Sequence, residues 1–154
     1  MSCIVSKLLC SLDCETLRLS DRKRLDAFHC RCLRTIHRIQ HSMLSHVSNA
    51  EVLSIAEVQS LSQIIEIRQL TLYGSIASLP HTSFLRATLF AGNEIAPRRL
   101  DGQRKRGRPR MTWASVQHAK ALQLFQGSQA ALNQFFEHQD NTAHYWKKLV
   151  KGSL

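Results

Sequence analysis

The sequence predicts an all-α protein of about six or seven short helices in an irregular bundle, with one exposed basic loop. Three observations carry this. Apolar residues recur at three- and four-residue steps along most of the chain, and no stretch alternates as a strand would. Ser, Asn, Gly and Pro fall where helices should start and stop. At 154 residues and 44% hydrophobic content, the chain has enough apolar side chain for a real core.

In order, Ile4, Leu8, Leu12, Leu17 and Leu19 suggest a first helix or part of one. The best-formed helix begins near Ser20 or Asp21, with Leu25, Phe28, His29, Cys32, Ile36 and Ile39 in one apolar stripe. At about 100° per residue, Arg24, Arg31, Arg34 and Arg38 form a second stripe roughly opposite. An apolar back and an arginine front make a candidate nucleic-acid face. Ser48 with Glu51 reads as a capping box, because each side chain reaches the other's backbone N–H. A longer helix runs from about Leu61 to Leu79 and stops at Pro80, and Phe84 to Phe90 forms a short one stopped by Gly92. Residues 91–110 lack apolar periodicity and are expected to be an exposed loop. Beyond it, Trp113, Val116, Lys120 and Leu124 mark another helix with Gly127 as its C-cap. Ser128 and Asn141 are candidate N-caps of two final helices, the last closed by Gly152. This divides the chain into a helical region 1–90, a basic loop 91–110 and C-terminal short helices 111–154.

The formal net charge of +10 implies a polyanionic partner and says nothing about fold. It is unevenly spread: residues 98–110 hold seven Lys/Arg against one Asp, whereas residues 41–97 hold two against four acids. The N-terminus lacks the n-, h- and cleavage regions of a signal peptide, and the longest uncharged run, Gln69 to Leu85, is broken by Gly74 and Pro80. No membrane association and an intracellular setting with five reduced cysteines are the expectations.

Chemistry on the chain is sparse. Cys30 and Cys32 lie about 200° apart on a helix, so the Cys/His-rich "FHCRC" is expected to hold no metal. The eleven acids are scattered singly, and no nucleophile elbow or phosphate-binding glycine loop is present. No cofactor and no small-molecule substrate are expected.

The basic stretch "RKRGRPR" comprises Arg104, Lys105, Arg106, Gly107, Arg108, Pro109 and Arg110. Gly107 lets backbone approach a groove floor, while Pro109 biases Arg108 toward an extended conformation. Extended, the stretch spans roughly 20 Å, about six base pairs. Arg106 and Arg108 then fit a narrow A·T minor groove, and the motif resembles an AT-hook core. A solvated loop, a base-indifferent phosphate contact and a nuclear-localisation-like cluster are the plainer readings, and phosphate contact without base preference is favoured over minor-groove binding.

Taken together and in order, "SKLLCSLDCETLRLSDRKRLDAFHCRCLRTIHRI", "VSNAEVLSIAEVQSLSQIIEIRQLTLYGSIASLP" and "RKRGRPRMTW" resemble the C-terminal, thumb and post-thumb part of non-LTR retrotransposon reverse transcriptases. The resemblance covers about residues 6 to 115 and is most specific in "RKRLDAFHCRCLR". His37, Glu57 and Ser75 depart from the family pattern and imply a decayed copy. The palm, with its paired metal-binding carboxylates, is expected to lie before residue 1, so the resemblance implies a non-catalytic fragment. What it would retain is sequence-nonspecific grip on a DNA or RNA backbone through Arg24, Arg31, Arg34, Arg38 and residues 104–110. An AT-hook-like minor-groove protein and a helical protein-interaction module are the alternatives.

Overall fold

A computed structural model describes residues 3–98, 112–137 and 142–153. Among them are nine α-helices, six of seven or more residues, and no strand, so the fold is all-α. The helices are α1 (Cys3–Leu8), α2 (Leu19–Ile36), α3 (Ser42–Ser45), α4 (Asn49–Ile55), α5 (Leu61–Ala77), α6 (Phe84–Leu89), α7 (Trp113–Leu124), α8 (Gln129–Glu137) and α9 (Thr142–Ser153). A 3₁₀ turn covers Leu12–Cys14. Local chemistry explains most of the starts. The Ser48–Glu51 capping box forms with both reciprocal bonds, Ser60 and Gln63 cap α5 in the same way, and Thr112 caps α7 through Ser115. Gly127 supplies a positive φ of 82° after α7 and returns its N–H to the Leu122 carbonyl at 2.7 Å.

The chain divides into two compact units, Met1–Leu12 with Leu17–Glu66, and Asp13–Thr16 with Ile67–Leu154. The division falls inside α5 and not at a loop. Helix α5 is apolar nearly all round, and its first turns and its later turns enter different cores: Leu61 and Ile65 one, Leu70, Tyr73 and Ala77 the other.

In the first unit, Leu9, Leu61 and Ile65 are buried, with Leu8, Leu12, Leu17, Leu25 and Ile64 packed around them. Helix α2 packs on α4 through a face different from the expected one. Its buried residues are Cys30, Leu33 and Arg34, while Phe28 is 47% and Ile36 71% exposed. At about 100° per residue, the three buried residues are thus centred roughly 140° round the helix from the stripe the apolar spacing marks. Two polar ties set this rotation. The Asp26 carboxylate accepts from the Ser62 backbone N–H at 2.9 Å and from its hydroxyl at 2.6 Å, capping α5 from another helix, and Arg22 pairs with Glu66 at 3.5 Å. An acceptor with negative charge is favoured at a helix N-terminus. Replacing Asp26 with Ala is therefore expected to lower stability by about 1 kcal/mol, read as a shift in the urea midpoint, with Asp26→Asn recovering part of it.

The second unit is built around Trp146. Its ring packs against Tyr73, Phe125, Phe135 and Phe136, with centroids 6.4, 6.4, 6.0 and 5.2 Å away, and its indole N–H donates to the Leu70 carbonyl at 2.6 Å. The close approach requires Gly74 on α5, where a Cβ would stand 2.0 Å from Trp146 Cδ1. The buried amides of Gln69 and Gln117 bond to each other at 3.1 Å, and Gln69 also donates to the Glu15 carbonyl at 2.8 Å. Arg86, 5% exposed, donates to the carbonyls of Ala77, Leu79 and Asn93, closing the C-terminal end of α5 with a cation. Burial lowers its pKa, opposed by the charge of Glu137.

Two further expectations are corrected. Helix α9 passes through Gly152 to Ser153, since one glycine weakens a helix without ending it. The segment expected to be an exposed loop begins as a packed turn: Ile95 is buried with its N–H on Asn133 Oδ1 at 3.1 Å, and Phe90 and Pro97 form an isolated bridge.

Candidate nucleic-acid interface

Of the arginines expected on α2, Arg24 and Arg31 are exposed and share one face. They stand two turns apart, roughly 10 Å or about three base pairs of duplex. The same arc carries Ser20, Ala27 and Thr35, all exposed and none acidic, with Asp21 flanking its N-terminal end. Phe28, 47% exposed, lies at a level between Arg24 and Arg31 along the helix, but roughly 40–60° round from both. Arg38 is also exposed but lies past the end of α2, in a left-handed turn at φ 55°.

Arg34 is not on this face. It is 7% exposed, and its guanidinium donates to the carbonyls of Gln40 and Val47, to Asn49 Oδ1 at 3.3 Å and to Ser45 Oγ at 3.5 Å. Three of those acceptors come from the segment joining α2 to α4 and the fourth from the first residue of α4, so Arg34 holds the α2–α4 connection on the helix instead of a phosphate. The rotation of α2 is the reason: the turn that buries Cys30 and Leu33 also takes in Arg34, at the edge of the arginine stripe. Arg104, Lys105, Arg106, Gly107, Arg108, Pro109 and Arg110 lie outside the described residues.

Against protein-family models, curated proteins and solved structures, the chain finds no match in any of the three comparisons.

A second basic face was missed in the sequence. On α9, His144, Lys147, Lys148 and Lys151 are all exposed and fall within roughly 100° of the helix circumference, opposite buried Trp146 and Val150. The signal was legible, because 144 with 148 and 147 with 151 are four apart.

Titratable groups inside the units are placed for structure. His29 is held below its ordinary pKa by burial, with Asp26 opposing, and burial raises the Cys30 thiol. Tyr73 is fully buried, its hydroxyl 2.9 Å from His118 Nδ1, and burial pushes its pKa up while lowering that of His118. A phenol with no exposed surface cannot meet a substrate. Among the described residues, no three His, Cys, Asp or Glu side chains stand together as metal ligands, and no helix is long and apolar enough to cross a membrane.

Proposed function

We propose that the chain is the thumb and post-thumb part of a non-LTR retrotransposon reverse transcriptase, that it does not itself polymerise, and that it binds DNA or RNA without base specificity. The observation that carries the binding is the exposed arc of α2, where Arg24 and Arg31 share one face and exposed Phe28 borders it. Guanidinium groups bond phosphate oxygens, and an exposed aromatic ring beside them offers a stacking surface to any base. The uneven charge supports the same reading, since the acid-poor stretch 98–110 follows in the same chain. The ordered resemblance from Ser6 to Trp113 supports the family. The absence of paired metal-binding carboxylates from the sequence supports the lack of polymerisation.

The test is binding of the full chain to a labelled oligonucleotide across a salt series. Affinity should fall steeply with salt, and Arg24→Ala and Arg31→Ala should each reduce the slope by about one, with weakening uniform across sequences. Binding that ignores salt would overturn the proposal. The AT-hook-like alternative makes a different prediction: a roughly tenfold preference for A·T-rich duplex that disappears in Gly107→Ala and Pro109→Ala.

A further inference from the structure

The second unit contains a hollow of about 720 Å³ lined by His81, Arg86, Phe90, Gly92, Asn93 and Arg98, among others. A volume of this order suits a nucleotide-sized ligand. Among the described residues its lining includes three basic side chains and no carboxylate; Glu94, next to Asn93 in sequence, is exposed and does not line it.

Backbone geometry adds to the charge. Gly92 adopts a positive φ of 63°, and the space where its Cβ would be is open. The amide N–H groups of Gly92 and Asn93 meet no acceptor among the described residues, whereas those of Ala91, Ile95 and Arg98 are bonded within the turn or to Asn133. Consecutive unbonded N–H groups at a left-handed residue make a concavity that suits an anion. Arg86 is locked by its three carbonyl bonds and by Phe90, whose ring centroid is 5.8 Å from Cζ, and its Nε is buried without a partner. It contributes a fixed positive charge at little reorganisation cost, partly offset by the Glu137 carboxylate. Arg98, exposed and bonded through Nη1 to the Ala87 carbonyl at 3.2 Å, supplies a guanidinium at the rim.

We infer that this hollow binds a phosphate group, held by the Gly92 and Asn93 N–H groups and the Arg98 guanidinium in the field of Arg86. Its source is either a nucleic-acid backbone, in which case the site rests on the function proposed above, or a small free phosphate. Arg98 directly precedes Arg99 and the basic stretch in sequence.

The test uses ¹⁵N–¹H spectra of the full chain. Inorganic phosphate, added at constant ionic strength with chloride as control, should shift the Gly92 and Asn93 amides saturably. Arg98→Ala should weaken that binding by roughly fivefold, the loss of one charge-assisted contact, while the remaining spectrum stays folded. A thymidine oligonucleotide shifting the same two amides at lower concentration identifies the backbone as the source; shifts with inorganic phosphate alone identify a free phosphate ligand. No saturable shift from either probe overturns the inference, as does a shift that Arg98→Ala leaves unchanged. Loss of oligonucleotide binding with the phosphate shift intact would instead count against the function proposed above.

Discussion

Replacing Arg34 with Ala is expected to destabilise the first unit by about 3 kcal/mol and to leave the salt dependence of the proposed nucleic-acid binding unchanged. The magnitude follows from what the guanidinium holds. Its bonds run to the Gln40 and Val47 carbonyls, Asn49 Oδ1 and Ser45 Oγ, and truncation leaves the carbonyls partly buried without that donor. Lysine should not rescue it, because an ammonium cannot reproduce a planar fork that addresses several acceptors at once. The urea midpoint followed by circular dichroism reads the stability. Arg31→Ala is the matched control, expected to move it by no more than about 0.5 kcal/mol while reducing the salt slope by about one. The reverse pattern, with Arg34→Ala stable and the slope lowered, would return Arg34 to the binding face.

The second large effect is expected at Gly74. An alanine Cβ there meets Trp146 Cδ1 at 2.0 Å and Nε1 at 2.2 Å, so the ring or helix must move and the Nε1–Leu70 bond is disturbed. Gly74→Ala should cost about 3 kcal/mol, the upper end of overpacking, although alanine is the better helix former by about 1 kcal/mol. The sign should reverse with the obstacle removed. In a Trp146→Leu background, itself destabilised, Gly74→Ala should be neutral or mildly stabilising, giving a coupling well above 1 kcal/mol in a double-mutant cycle. Additivity between the two changes would show that Gly74 has some other role.

How much of this was legible depended on the range of the interaction. The Ser48–Glu51 box, the stop near Pro80 and the turn at Gly127 involve residues within a few positions, and they appear where local chemistry puts them. Helix α2 shows where that reasoning ends. Its spacing names Phe28 and Ile36 as core, yet both are exposed, because Asp26 reaches Ser62 and Arg34 reaches Val47 and Asn49. The buried arginines, Arg34 and Arg86, resemble surface cations in sequence. Only the folding back of the neighbouring segments, whose acceptors lie six to fifteen residues away, makes their burial possible.

The candidate site divides in the same way. Concentration of positive charge in residues 98–110, the all-α class and the helix caps all follow from composition and neighbours along the chain. Which arginines of α2 face water, how α5 enters two cores, and the hollow beside Gly92 and Arg98 are matters of tertiary structure. The physical reason is that periodicity marks a side chain's angle on its helix, whereas the angle that becomes buried depends on partners many residues away.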